Sequence, residues 1–226
     1  MRKTVQILDE LKINYPDLVY PETMVDKLEI YLDILQKWNH KTNLTAVDGY
    51  LNLIRKHIVD SLAIFYMKSI KQKWVTLSGN VLDMGSGAGV PGIVLSIYYN
   101  VLNVYSVDKS KIKTTFQERV KTRIGLTNYH PLNNRLERLT ESAEHYLRYD
   151  FIISRAFDQL KGLLRFGKFF LKKDGYMILW KGKRWKLEWD SVPEETKREF
   201  LVVERTQYLF NSFDGGGTLL LIRKNN

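Results

Sequence analysis

The chain has 226 residues, of which 44% are hydrophobic and 12% aromatic, so it can bury one sizeable core and form one or at most two domains. It contains no cysteine, which excludes disulfides, thiolate metal sites and cysteine nucleophiles. Lysine and arginine number 35 against 25 aspartate and glutamate residues, for a net charge of +10. This excess favours a polyanionic partner, because each neutralised phosphate releases counterions; a protein that is merely basic is the alternative.

Neither a metal site nor a membrane segment is expected. The four histidines lie far apart and form no HExxH or HxH cluster: His40, His57, His130 and His145. No run of about 18 apolar residues occurs that would span a membrane. The first residues, MRKTVQILDELKIN, lack the uninterrupted apolar stretch of a signal peptide. We therefore expect a cytoplasmic protein that makes no membrane contact.

Residues 1–73 have a helical hydrophobic period. Within residues 23–38 the apolar side chains recur at steps of three and four, which predicts a helix with one apolar face. The polar sequence NHKTN at 39–43 predicts a break. A second helix is predicted over residues 51–70, so that this part of the chain is helical throughout.

Residues 74–226 alternate between short apolar segments and helical periods, which predicts an α/β fold with a mostly parallel sheet. Strands are predicted over 81–84, 103–107, 129–133, 150–154 and 176–180. Helices are predicted between them over 91–99, 111–124 and 159–171. The last two apolar segments, 201–210 and 217–222, face each other across NSFDGG, which predicts an antiparallel hairpin at the sheet edge.

A glycine-rich loop follows the first predicted strand, in the sequence VLDMGSGAGVPG at residues 81–92. Alternate glycines, Gly85, Gly87 and Gly89, allow the backbone to turn sharply and approach a ligand whose polar end meets the free N–H groups of the next helix. Gly87, Gly89 and Gly92 also satisfy the G-x-G-x-x-G pattern of dinucleotide sites. The glycines alone therefore do not separate a nicotinamide cofactor from S-adenosylmethionine.

Two carboxylates near the loop bear on that choice. Asp83, two residues before Gly85, would repel a pyrophosphate but suits the cationic ammonium and sulfonium of S-adenosylmethionine; a helix cap or a brace of the loop is the alternative. Asp108 ends the second predicted strand, where a carboxylate accepts ribose hydroxyls; an ordinary turn residue is the alternative. We predict that Asp83, Gly85, Gly87 and Asp108 contact the cofactor.

Several segments, in chain order, resemble a known family. They are KWN at 37–39, NLTA at 43–46, KHIVDSL at 56–62, the glycine loop, VDKS at 107–110, NRLE at 134–137, YD at 149–150, SRAF at 154–157 and WKG at 180–182. Together they resemble the bacterial 16S rRNA guanine-N7 methyltransferase G family (RsmG, formerly glucose-inhibited division protein B). The resemblance covers about residues 25–182.

The resemblance implies a class I methyltransferase (Rossmann-like) domain at 74–226, with residues 1–73 as a helical cap beside the cofactor cleft. It implies methylation of guanine N7 in 16S small-subunit rRNA, with Asp108 near the ribose of S-adenosylmethionine. It also implies cofactor contacts from Gly85, Val90, Leu136, Glu137 and Arg155. The chain departs from the family at 215–218, GGGT, where a basic residue is usual, so no RNA contact is assigned there.

Guanine N7 carries a lone pair and no proton, so methyl transfer to it is a direct in-line displacement that needs no general base. The enzyme's task is to hold the reacting atoms in line. We therefore assign no catalytic base. For Arg155 three roles are open: a cofactor contact, a grip on guanine or phosphate, and an ion pair with Glu137 or Asp83.

Two basic clusters are predicted to hold RNA beside the cleft. The first is Arg55, Lys56 and His57 in the cap, and the second, after the fifth strand, is Lys181, Lys183 and Arg184. Trp180, Trp185 and Trp189 interleave with the second cluster and would stack bases; a solvated charged face with tryptophans in the core is the alternative. Lys109, Lys111 and Lys113 are expected to solubilise an outer face.

The expected partner is 16S rRNA or the small ribosomal subunit, and the expected oligomeric state is a monomer. Other activities remain open at this point. They are methyl transfer to another RNA or to a small molecule, and an NAD-type oxidoreductase.

Overall fold

The computed structural model describes residues 2–72 and 75–225. The boundary expected between the two parts, at residues 73 and 74, lies outside the described residues. Two helices open the chain, α1 (Lys3–Asn14) and α2 (Glu22–Thr42). The predicted break comes late, because α2 continues through the polar stretch and ends at Asn43, whose left-handed φ of 48° stops the helix.

The second predicted helix is an irregular helical segment. It begins as α3 (Tyr50–Leu53), widens into a π-helical turn (Ile54–Val59) and tightens into a 3₁₀ turn (Leu62–Tyr66). A short helix, α4 (Lys68–Lys71), follows after an extended Met67. Wide helical turns of this kind often occur at functional sites, and this one carries the first basic cluster.

Seven strands form one sheet in the order β3-β2-β1-β4-β5-β7-β6. They are β1 (Gly79–Met84), β2 (Leu102–Asp108), β3 (Tyr129–Asn133), β4 (Tyr149–Arg155), β5 (Leu171–Lys181), β6 (Phe200–Leu209) and β7 (Gly216–Lys224). Strands β1 to β5 are parallel, as expected. The final hairpin is antiparallel, but its second strand pairs with β5, so β6 forms the edge.

Helices connect the strands and cover both faces. The connections contain α5 (Gly92–Tyr98), α6 (Lys111–Ile124), α7 (Leu136–Leu139) and α8 (Leu160–Phe170). Two short helices after β5 were not predicted from the sequence, α9 (Trp185–Asp190) and α10 (Glu194–Arg198). Each is shorter than two turns and has too few residues to show a period.

Alternation along the strands divides the core between the two faces. On one face Val81, Val104 and Ile178 join a continuous core with apolar residues of α1, α2, α5 and α6. On the other face Leu82 and Ile152 pack with α8. The N-terminal helices and the sheet therefore share one core, which places α2 directly against α5 and α6.

Candidate cofactor and RNA site

A cavity of about 350 Å³ lies at the carboxyl ends of the parallel strands. From β1 the chain continues to β2 and β3 on one side of the sheet, and then crosses over to β4 and β5 on the other side. Ligands of open α/β sheets bind at the strand ends where the order reverses in this way. A larger apolar cavity, about 680 Å³, lies near the amino ends of β1 and β2 and contains none of the predicted site residues. The smaller cavity is lined by Gly85, Val107, Asp108, Lys109, Lys113, Asn134, Arg135, Leu136, Glu137, Ala156 and Phe157.

The glycine loop has the backbone that its sequence predicts. Gly85 and Gly87 have φ of 71° and 58°, in the left-handed region where a Cβ is unfavourable. A Cβ built on Gly87 would meet nothing within 4 Å, so the space above that residue is open. A Cβ built on Gly85 would lie 2.1 Å from the Phe157 ring, so an aromatic side chain rests on its backbone.

Asp83 lies beneath the loop and is fully buried. Its Oδ2 accepts a hydrogen bond from the Gly92 N–H at 3.1 Å and lies 3.4 Å from Ser106 Oγ. Its Oδ1 has no hydrogen-bond partner among the described residues. Burial raises the pKa of Asp83 to about 7, although the Gly92 hydrogen bond opposes the shift. Asp83 therefore holds the loop against the start of α5, which was the alternative to a direct cofactor contact.

Asp108 stands at the cavity wall and also supports the loop. Its Oδ2 accepts from the Gly87 N–H at 3.0 Å, and its Oδ1 accepts from the Ser110 N–H at 2.8 Å. The Lys113 ammonium lies 3.8 Å from Oδ2. Asp108 lines the cavity, and its carboxylate oxygens retain lone pairs, so it can bind the loop and accept hydroxyl groups from a ligand.

A buried polar network below the loop was missed at the sequence level. Gln117 on α6 donates from Nε2 to Ser86 Oγ at 2.9 Å and to the Gly87 carbonyl at 2.8 Å. The Tyr129 hydroxyl donates to Gln117 Oε1 at 3.0 Å and lies 2.7 Å from Ser106 Oγ. The sequence feature that could have predicted this network is Gln117 itself, a polar residue on the buried face of α6 together with Phe116 and Val120.

The N-terminal helices contact the loop from the other side. Tyr31 on α2 is fully buried and donates from its hydroxyl to the Ala88 carbonyl at 3.1 Å. The neighbouring Val90 is buried and does not line the cavity, so the cofactor contact expected from it is not supported by its position. Leu136 and Glu137, at the start of α7, do line it.

Arg155, at the end of β4, binds the N-terminal helical part of the chain. Its Nη1 donates to Asp60 Oδ2 at 2.7 Å and to the Lys56 carbonyl at 2.6 Å. The ion pair expected with Glu137 or Asp83 is therefore wrong, and the carboxylate partner is Asp60. The other carboxylate oxygen of Asp60, Oδ1, accepts from the Tyr208 hydroxyl at 2.8 Å. The backbone carbonyl of Asp60 accepts from Trp180 Nε1 at 2.8 Å.

His57 is buried beside Arg155 and is not available to RNA, so the RNA contact expected from it is wrong. Its Nδ1 lies 3.4 Å from Nη2 of Arg155, which can only donate, so Nδ1 accepts. The proton is then on Nε2, which donates to Thr45 Oγ1 at 3.2 Å. Burial, with the Arg155 charge, lowers the pKa of His57 to about 3 and keeps the ring neutral.

The two basic clusters divide into paired and exposed members. Arg55 donates to Glu10 Oε1 at 2.8 Å and Lys181 lies 2.6 Å from Glu188, both largely shielded from solvent. The RNA contacts expected from these two residues are not supported, because each side chain is already bound to a carboxylate. Lys56, Lys183 and Arg184 are exposed.

The tryptophans and the α6 lysines also differ from expectation. Trp180 is buried in the core, and Trp185 and Trp189 pack partly against the core under α8. The alternative with tryptophans turned inward is therefore the one observed. Lys109 and Lys113, expected on an outer face, instead line the cavity.

Within residues 2–72 and 75–225, no cluster of three metal-ligating side chains occurs. In the same part of the chain, no helix is long and apolar enough to cross a membrane.

The family model described as rRNA small subunit methyltransferase G (GidB) matches residues 24–213. The chain belongs to this family. It is similar to the Ribosomal RNA small subunit methyltransferase G of Alkaliphilus metalliredigens, with 31% identity over 90% of this chain and 83% of that protein. The relative from Desulforamulus reducens is 33% identical over 92% of this chain and 77% of that protein. The match with the Lachnoclostridium phytofermentans relative, 35% identical, covers 70% of this chain and 63% of that protein.

Solved structures share the fold at low sequence identity. MtNAS in complex with MTA and tNA has a TM-score of 0.58 at 12% identity, over 88% of this chain and 71% of that chain. A predicted O-methyltransferase from Agrobacterium tumefaciens has a TM-score of 0.53 at 14% identity, over 64% of this chain and 73% of that chain. At these identities the likeness shows the fold alone. With the family match, the expected fold, family, enzyme class and cofactor are confirmed: the protein is an S-adenosylmethionine-dependent methyltransferase.

Proposed function

We propose that this GidB family member transfers a methyl group from S-adenosylmethionine to N7 of a guanine in 16S rRNA. The observation that carries the proposal is the cavity at the strand ends, where Gly85, Asp108, Leu136 and Glu137 converge in a chain of this family. These four residues come from three separate segments of the sequence, since Leu136 and Glu137 are adjacent. A dinucleotide oxidoreductase has no support from the family match, although the G-x-G-x-x-G pattern alone allowed it.

The lining of the cavity fits the cofactor. Asp108 lines the cavity and keeps carboxylate lone pairs for ribose hydroxyls. Gly87 is not part of the lining but lies in the adjoining loop, where the space above it is open. Leu136 offers an apolar surface for a base. In this proposal Arg155 and Asp83 act indirectly, since one holds the cap and the other holds the loop. When bound, the cofactor supplies an electrophilic methyl group.

The residues of the site suit a reaction without proton transfer. Guanine N7 attacks through a lone pair, so the protein's contribution is the position of the base and the exclusion of competing poses. His57 is neutral, buried and engaged on both ring nitrogens, so it does not act as a base. The proposal therefore assigns no general base.

The RNA is proposed to lie across the exposed cations around the cavity. Lys56, Lys183 and Arg184 remain from the two predicted clusters, and Lys109 and Arg135 at the cavity add to them. Phosphate contacts of this kind supply affinity and position the substrate, while the cavity selects the base. We further propose that the protein acts in the cytoplasm as a monomer on rRNA or on the small ribosomal subunit.

The test compares N7-methylguanine in 16S rRNA from cells with and without the gene, followed by transfer of labelled methyl from S-adenosylmethionine to rRNA that lacks the modification. One lost site, restored by purified protein, is the expected result. Unchanged rRNA would reject the proposal. Melting with each cofactor separates the alternatives, because only a ligand that binds the native state raises the melting temperature. A rise with NAD alone would favour an oxidoreductase.

A further inference from the structure

Phe157 is an exposed aromatic side chain at the cofactor cavity. The residue is 43% exposed, and it is the one aromatic residue among those that line this cavity in the described part of the chain. Its ring rests on the backbone of Gly85, where a Cβ would lie 2.1 Å from Cδ2. An apolar ring is thus partly exposed to solvent beside the first glycine of the loop.

The loop that carries Phe157 is fixed on both sides. Ala156 has φ of 54°, a left-handed conformation that residues with a Cβ seldom adopt and that is often found at ligand sites. Before it, Arg155 is bound to Asp60 in the cap. After it, Lys181 Nζ donates to the Asp158 carbonyl at 3.0 Å and pairs with Glu188.

The same glutamate accepts from the Leu160 N–H at 3.0 Å, at the start of α8. Arg155 and Lys181 therefore hold this loop in place, although the sequence predicted a cofactor contact for the first and an RNA contact for the second. The backbone that carries Phe157 is consequently held in place on both sides by the fold.

We propose that Phe157 stacks on the target guanine and orients its N7 toward the methyl donor, an inference that rests on the proposed function. The N7 lone pair lies in the plane of the base, so a ring on the base face leaves the N7 edge free. As the N7–CH₃ bond forms, the S–CH₃ bond breaks and its electron pair stays on sulfur; no proton moves. Positive charge passes from sulfur to the guanine, and an aromatic face attracts that charge as it develops.

The stacking role makes a different prediction from a role in cofactor binding. Phe157→Leu keeps an apolar side chain without the ring, whereas Phe157→Tyr and Phe157→Trp keep a ring. Tyr146→Leu is the matched control, because Tyr146 is 57% exposed and packs against Phe169, away from the cavity lining. All variants are assayed as full-length protein, on unmodified small-subunit rRNA, for methyl transfer and for S-adenosylmethionine binding by calorimetry.

We expect Phe157→Leu to lower kcat for N7 methylation by about 10-fold or more, since it removes the ring that would hold N7 in line with the methyl donor. The ring-retaining variants and Tyr146→Leu should keep most of the activity, and Phe157→Leu should change S-adenosylmethionine affinity far less than it changes kcat. Full activity of Phe157→Leu, or a parallel loss of cofactor affinity, would overturn the stacking role. An inactive wild-type protein would instead reject the proposed function itself.

Discussion

The Nη1 atom of Arg155 lies 2.7 Å from Oδ2 of Asp60, which joins the end of β4 to the N-terminal helices. The two side chains are 17% and 19% exposed, so the pair is largely removed from solvent. Asp60 also accepts from the Tyr208 hydroxyl on β6. One carboxylate of the N-terminal helical part is therefore bound to two strands of the sheet.

Asp60→Asn should lower the free energy of unfolding by about 2 kcal/mol, because it leaves the Arg155 charge poorly compensated in a shielded position. The measurement is urea unfolding at neutral pH. Asp17→Asn is the matched control, since Asp17 pairs with Lys71 at 3.0 Å with side chains 73% and 65% exposed. Exposed pairs contribute about 0–1 kcal/mol, so equal losses in both variants would contradict the prediction.

Asp83 should make the protein less stable as the pH rises. Its folded pKa, about 7, lies above the ordinary value of 3.8, so its stabilising contribution is complete below about pH 4 and is lost toward pH 7. Asp83→Asn, which cannot ionise, should remove this loss and gain stability relative to wild type between pH 4.5 and pH 7.5, by a few kcal/mol at most. Unfolding free energies across that range test it.

The opposite titration of His57 must be separated from this effect. Its folded pKa, about 3, is below the ordinary 6.5, so its contribution is complete above pH 6.5 and is lost as the pH falls. The difference between wild type and Asp83→Asn cancels it, because both proteins contain His57. Parallel pH curves for the two proteins would show that the Asp83 carboxyl does not change its charge on folding.

Tyr31→Phe should destabilise the protein by about 1–2 kcal/mol, because it leaves the buried Ala88 carbonyl without its hydroxyl donor. It should also weaken S-adenosylmethionine binding, since Ala88 lies in the glycine loop. Tyr50→Phe provides the control: the Tyr50 hydroxyl is buried with no hydrogen-bond partner among the described residues. Its removal should be neutral or stabilising, and a loss equal to that of Tyr31→Phe would refute the argument.

Lys183→Glu should weaken binding to unmodified 16S rRNA several-fold and lower the salt dependence of binding by about one unit of slope. Lys183 is exposed just beyond the carboxyl end of β5, on the side of the cavity. Lys173→Glu makes the same change of charge near the amino end of β5 and should have little effect. S-adenosylmethionine affinity should not change in either variant. Equal weakening by both would indicate a diffuse effect of net charge.

Local pattern was enough for most of the architecture. The parallel strands, the helices between them and the final hairpin follow from periods of two and of about 3.6, which depend on near neighbours in the chain. The Gly85–Gly87 loop was predicted for the same reason, because positive φ is a property of single residues. The insertion of β7 between β5 and β6 was not, since strand order depends on pairing across the whole sheet.

The partners of charged residues were decided by the tertiary structure. The residue types of Arg55, His57 and Lys181 predicted contacts with RNA. The fold instead places a partner beside each of them, in the same order Glu10, Arg155 and Glu188. Glu10 lies far from Arg55 in the chain, so no local pattern could reveal that pair. Conversely, Lys109 and Lys113 look like an outer helix face in the sequence and line the cavity in the fold.

The sequence by itself determined the fold class, the glycine turn and the family, because each depends on residue types at short, defined spacings. Only the tertiary structure decided which charges are available to a ligand. That property depends on burial and on partners distant in sequence, since a charge that loses water must find a compensating group wherever the fold supplies one.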